Sequence, residues 1–117
     1  MAYDEDLAGR IRDALADRPD VTEKKMFGGL AFLVRGHMAI VASGRGGAMV
    51  RVDPDRAAAL VARGSAEVAV MRGRPMTGWL RVPDENLRTT RQLDRWVTLA
   101  LDRVGSLPDK APATRQR

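Results

Sequence analysis

The chain has 117 residues, a formal net charge of +5 and no Cys. This length is typical of one domain, and it is sufficient to bury a core without disulfides or a structural metal. The lack of Cys excludes disulfides, thiolate catalysis and Cys-based zinc sites, and it suits a reducing compartment. The first six residues do not form a signal peptide and residues 30–34 are too short a run to span a membrane, so we expect a cytoplasmic protein.

The first half of the chain predicts one helix followed by strands. Residues 4–18 have apolar side chains at helical spacing, and Pro19 ends this helix. Residues 25–52 predict three or four strands, because short apolar runs alternate with turn residues. The turns are expected at Gly28–Gly29, at residues 35–37 and at residues 43–47.

The second half predicts a helix, a hairpin and a final helix. Asp53 and Pro54 start the second helix, and Gly64 ends it. Residues 66–72 and 76–82 form a predicted hairpin around residues 73–75. Thr89 or Thr90 caps the final helix, whose apolar stripe is Leu93, Trp96, Val97, Ala100, Leu101 and Val104.

This order predicts an α+β fold in which most strands pair antiparallel. We find no internal repeat and no second domain, so residues 1–105 are assigned to one domain. Residues 106–117 are polar and aperiodic, which predicts a disordered tail whose deletion changes stability little.

No group of residues in the sequence predicts catalysis, a metal site or a cofactor site. His37 is the only His, and no partner residue can be assigned to it from spacing. The Gly-rich segment at residues 43–47 lacks the Lys and the following helix of a phosphate-binding loop, which favours a hairpin turn. The carboxylates fall in helix caps and on polar helix faces. We therefore expect no enzymatic activity and no cofactor.

The basic residues of the strands leave two interpretations open. Lys24, Lys25, Arg72, Arg74 and Arg81 could converge on an anion-binding patch, or they could form an ordinary solvated surface. No interleaved aromatic residues accompany them for base stacking, so we favour the solvated surface. Weak, largely non-specific nucleic-acid binding is the alternative.

Alternation along the strands predicts that both faces of the sheet are apolar. One set of residues, in which we place Met38, would face the helices. The opposite set contains Leu33, Val41, Met49 and Trp79 together with Arg51 and Arg81. Because we expect three helices to cover only one face, we predict a two-fold dimer through the second face, unless a helix crosses to it or the Arg stems shield it. The predicted interaction surface thus comprises Lys24, Lys25, Arg51, Arg72, Arg74, Trp79 and Arg81.

Several segments in order resemble the N-terminal domain of the TfoX/Sxy family. They are the run Met-Phe-Gly-Gly-Leu-Ala-Phe-Leu from Met26, the run Arg-Gly-His-Met-Ala from Arg35, the run Val-Arg-Val-Asp from Val50, the run Arg-Pro-Met-Thr-Gly-Trp from Arg74, and Leu93 with Trp96. The resemblance covers about residues 4–108. It implies an α-β-α-β-α fold similar to type III secretion chaperones, and it supplies no catalytic residues.

The same resemblance implies a function. Full-length relatives regulate natural competence together with a cAMP-receptor-type transcription factor, and they carry a second, C-terminal domain that we expect this chain to lack. We therefore predict a stand-alone protein-binding or regulatory module, with a cAMP-receptor-type transcription factor as one candidate partner.

Overall fold

The computed structural model of the chain describes residues 3–26 and 28–107, which form three α-helices and a six-stranded antiparallel sheet. In chain order the elements are α1 (Glu5–Ala14), β1 (Val21–Met26), β2 (Gly29–Val34), β3 (His37–Ala42), β4 (Ala48–Arg51), α2 (Pro54–Ala62), β5 (Glu67–Met71), β6 (Arg74–Val82), a 3₁₀ turn (Asp84–Asn86) and α3 (Thr90–Gly105). The α+β class, with four strands and then two between the helices, is as predicted.

The sequence located the helix starts well, because each start carries a capping side chain. Asp53 accepts a hydrogen bond from the Asp55 amide, and Pro54 occupies the first turn of α2. Thr89 and Gln92 form a reciprocal capping box at the start of α3. The end of α1 was predicted four residues late, since the helix stops at Ala14 and a turn precedes Pro19.

The structure corrects the predicted limits of two strands. Strand β1 begins at Val21, and its four central residues are exposed, so it lacks the apolar alternation that would have predicted it. It is held by backbone pairing with β2 at the edge of the sheet. The late hairpin turns at Arg72–Gly73, so Arg74 and Pro75 belong to β6 and not to the turn. Phe27, predicted at the end of the first strand, lies outside the described residues.

The main core lies between the helices and one face of the sheet. The strand order is β1-β2-β3-β4-β6-β5. Helix α3 packs on β3 and β4, α2 packs on β5 and β6, and α1 packs on α3. Leu93, Trp96, Val97, Ala100 and Val104 are buried as the stripe predicted, while Leu101 is half-buried.

A bulge in the β2–β3 hairpin moves Met38 to the face opposite the helices. The pairing shifts between Phe32, which is opposite Ile40, and Leu33, which is opposite Met38. The extra residue is Ala39, which packs in the main core beside Ile40. The placement of Met38 among the helix-facing residues was therefore wrong, because simple alternation cannot anticipate a bulge.

The predicted tail begins within the described residues. Ser106 follows α3 and its hydroxyl donates to the Arg103 carbonyl oxygen at 2.7 Å, and Leu107 packs against the main core. Residues 108–117 lie outside the described residues, so the disorder predicted for them stays a prediction.

Removing the α3 cap should lower stability measurably. Thr89→Ala leaves the Gln92 amide without its side-chain acceptor at 3.0 Å, and we expect the free energy of unfolding to fall by about 1 kcal/mol. Thr98→Ala, an exposed position within α3, is the matched control and should leave stability unchanged or slightly higher. Urea denaturation of both variants measures the difference, and equal values would show that the cap contributes nothing.

Candidate binding surface

The face of the sheet that points away from the main core carries a second apolar cluster. Its buried members are Ala31, Val41, Ala69 and Trp79, and its half-buried members are Met26, Leu33, Met38, Met49 and Met76. We call this set the open face, because no helix residue within the described chain belongs to the cluster. Helix α2 approaches one edge of the face, where its residue Ala58 lines a groove together with Met76 and Trp79.

An arginine guanidinium lies over the tryptophan of the open face. The Arg51 guanidinium carbon lies 5.6 Å from the ring centroid of Trp79, its partner across β4 and β6. The guanidinium also donates to the Met38 carbonyl oxygen at 3.3 Å. Burial, and to a lesser extent the nearby charge of Arg103, lowers the pKa of the Arg51 guanidinium. Trp79 is only 8% exposed as a result of this packing.

Two irregularities bend the β5–β6 hairpin. The pairing shifts between Val68 and Val70, and Gly78 interrupts β6 with a φ of 82°. The positive φ favours Gly at this position, and a side chain there would also make tight contacts of 3.3 Å with the Pro54 ring and the Val52 carbonyl oxygen. Ala69 of β5 and Met76 of β6 belong to the open face together with Trp79.

The structure distributes the predicted interaction residues over three places. Trp79, Arg51 and Arg81 lie together on the open face, since β4 and β6 are neighbours and directly opposed residues share a face. Arg72 lies in the hairpin turn, and Arg74 follows it at the start of β6.

The two lysines lie at the other edge of the sheet. Lys24 is opposite Ala31 on the open-face side, and Lys25 is opposite Leu30 on the helix side. Strand β1 is four strands from β6, which corresponds to about 19 Å at the usual strand spacing. The lysines and the arginines therefore do not form one contiguous basic patch.

One cavity joins residues that the sequence analysis did not connect. It has a volume of about 540 Å³ beside the open face and is lined by both the β3–β4 turn and the β5–β6 turn. Arg45 and Ser43 of the β3–β4 turn and Arg72 of the β5–β6 turn therefore line the same cavity. Sequence reasoning missed this juxtaposition because it depends on the bend of the hairpin.

The remaining sequence candidates give no chemical centre. His37 begins β3 and is half-buried. Residues 3–26 and 28–107 contain no group of three or more His, Asp or Glu that could hold a metal ion. Within the same residues no helix is long and apolar enough to cross a membrane.

The family can now be assigned. The TfoX N-terminal domain family matches residues 13–104, most of the chain and all six strands. The chain belongs to the TfoX N-terminal domain family. A search of the curated proteins gave no match.

The glycines of the family-like segment have a structural role in this TfoX N-terminal domain. Gly28 turns the chain between β1 and β2 with a φ of 73°. A side chain at Gly29 would collide with the Ala42 carbonyl oxygen of the neighbouring strand β3. Gly28 therefore permits the turn, and Gly29 permits the backbones of β2 and β3 to approach closely. Neither residue supplies a reactive group.

The contact between Arg51 and Trp79 can be tested by fluorescence. We expect Arg51→Ala to increase acrylamide quenching of tryptophan emission, because the stem and guanidinium no longer shield the indole, and to lower stability by about 0.5–1 kcal/mol. Arg74→Ala, at an exposed position outside the open face, is the control and should leave quenching unchanged. Trp96 lies in the main core and contributes the same background to both variants. Equal quenching would mean that Arg51 does not cover Trp79 in solution.

Proposed function

We propose that this TfoX N-terminal domain is a non-enzymatic, protein-binding regulatory module that docks through its open face. The observation that supports the proposal is the composition of that face, to which all six strands contribute apolar residues and no helix of the described chain contributes any. The outer face of an antiparallel sheet is usually polar when it faces water. An apolar one marks an interaction site.

The chemistry of the open face suits a protein partner. It contains four of the six Met residues of the chain. Methionine side chains are flexible and polarisable, so they adapt to the shape of a protein surface. Trp79 and Arg51 add the two residue types that most often dominate binding energy at protein interfaces.

The proposed partner is a transcription factor. Resemblance to regulators of competence favours a role in transcription control, with a cAMP-receptor-type transcription factor as the protein partner. A cytoplasmic location is consistent with that role.

A second copy of the same face is the simplest occupant. A two-fold interface brings the same face of two copies together, so each apolar face can bury the other. Trp79 is a poor position at which to test this, because it is nearly buried in the single chain and a charge there would disturb the monomer. Leu33 is better, because it is half-buried on the open face and its replacement can reach water.

We expect the wild-type chain to form dimers at micromolar concentration and Leu33→Glu to weaken the dimer at least tenfold, because the interface would bury an unpaired carboxylate. Val68→Glu places the same charge at an exposed apolar residue outside the open face and should leave the dimer unchanged. Light scattering on a size-exclusion column measures both. A wild-type monomer at every concentration would reject self-association, and equal weakening by both variants would place the contact elsewhere.

The heteromeric partner is tested with the same variants. A labelled chain is titrated with a cAMP-receptor-type transcription factor of the same host, with and without cAMP, and sedimentation velocity reports the complex. Binding that Leu33→Glu weakens and Val68→Glu preserves would support docking through the open face. No complex in either condition would reject this partner.

The alternative of nucleic-acid binding makes a different prediction. Because the lysines of β1 and the arginines of β6 lie about 19 Å apart, we expect any DNA binding to be weak, independent of sequence and lost as salt rises through counterion release. Fluorescence anisotropy with two unrelated duplexes at 50 and about 200 mM salt measures this. A sequence-specific complex that survives the higher salt would favour the alternative over the protein-binding module.

A further inference from the structure

The cavity beside the open face combines a cationic wall with an apolar floor. Its volume of about 540 Å³ lies within the usual range for small-molecule sites, roughly 300–1,000 Å³. The floor is formed by three residues of the open face, Val41, Met49 and Ala69. Such a floor favours a ligand with an apolar body.

Three arginines from three different elements line the cavity. Arg45 comes from the β3–β4 turn, Arg72 from the β5–β6 turn and Arg81 from β6. No Asp or Glu lines it. Glu67 is opposite Arg81 in the strand register, but these two side chains form no ion pair within 4.0 Å. The positive charge of the cavity is therefore not neutralised by a carboxylate of the described chain.

One of these arginines is already oriented. The Arg81 guanidinium lies 3.5 Å from the Ser43 hydroxyl and 3.4 Å from the Arg45 carbonyl oxygen, both in the β3–β4 turn. These contacts are long, so they position the side chain without saturating its five N–H donors. Donors remain available for an anion.

Comparison with a similar turn shows that Arg72 is unusual. Arg35–Gly36 and Arg72–Gly73 each place an arginine and then a glycine in left-handed backbone, with arginine φ values of 52° and 55°. This conformation costs an arginine roughly 1–2 kcal/mol, so each side chain should have a use. The Arg35 guanidinium donates to the Val104 carbonyl oxygen at 2.8 Å and so caps α3. Arg72 makes no hydrogen bond or ion pair with the residues that the structure describes, and it lines the cavity instead.

We propose that this cavity binds a small organic anion, with the arginines holding its phosphate or carboxylate group and the floor holding its apolar body. Planar guanidinium groups hold both anions through paired hydrogen bonds, and three of them line this one cavity. This site adds ligand binding to the docking role. Its floor belongs to the open face, but its test does not depend on docking, because the probe is titrated against the chain alone.

The proposal can be tested by isothermal titration calorimetry with three probes. Phenyl phosphate carries both the anion and an apolar ring, inorganic phosphate carries only the anion, and benzyl alcohol carries only the ring and a neutral group. We expect phenyl phosphate to bind at one site per chain, inorganic phosphate to bind at least fivefold more weakly, and benzyl alcohol to give no measurable binding.

Arginine variants distinguish binding in the cavity from attraction by the net positive charge of the protein. Arg72→Gln and Arg45→Gln should each weaken phenyl phosphate binding by about tenfold, since a charge-assisted hydrogen bond is lost. Arg74→Gln removes the same charge from a neighbouring exposed arginine that does not line the cavity, and it should change binding less than twofold. Circular dichroism confirms folding, and two independent arginine variants guard against a local disturbance of either turn.

Each contrary result overturns the proposal. If phenyl phosphate does not bind at millimolar concentration, the cavity arginines form a solvated surface and not an anion-binding site. Equal weakening by Arg74→Gln would mean that net charge alone attracts the probe, and equal affinity for benzyl alcohol would mean that the arginines make no contribution. Leu33→Glu lies outside the cavity lining and should bind phenyl phosphate normally, so a failure of docking is distinguishable from a failure of this site.

Discussion

Side chains alternate between the two faces of a strand, and the rest of this structure follows from that constraint. Val50, which packs in the main core with the helices, has Met49 and Arg51 as neighbours on the opposite side. All three helices contribute to the main core, so the apolar residues between the core positions have no helix to pack against. The open face therefore arises because all three helices pack on the same side of the sheet.

The protein limits the exposure of this second face by local means. The stem of Arg51 covers Trp79, and the bent end of the β5–β6 hairpin brings Ala69 and Met76 onto the face. The backbone conformation there favours Gly78, because its φ of 82° is one that other residues rarely adopt. These devices leave the methionines half-buried, which is compatible with a folded single chain and with a surface that a partner can still bind.

The β5–β6 hairpin also places arginine side chains beside the apolar open face. Extended along its length, β6 would separate the β3–β4 turn from the β5–β6 turn by roughly 25–30 Å. The two turns instead line one cavity, so Arg45 and Arg72 converge although they are far apart in sequence. Membership of the TfoX N-terminal domain family therefore gives the fold, while the local bends of this chain determine which charged groups can act together.

The sequence by itself determined the α+β class, the element order, the helix start at Asp53, the start of the last helix to within Thr89 or Thr90, and the apolar character of both sheet faces. Those features depend on local capping chemistry and on residue periodicity, which are properties of short segments. Only the tertiary structure decided that Met38 faces away from the helices, that Lys24 is distant from Arg81, and that Arg45 meets Arg72. Bulges, strand order and hairpin bends arise from pairing between distant segments, and a single strand's pattern carries no information about them.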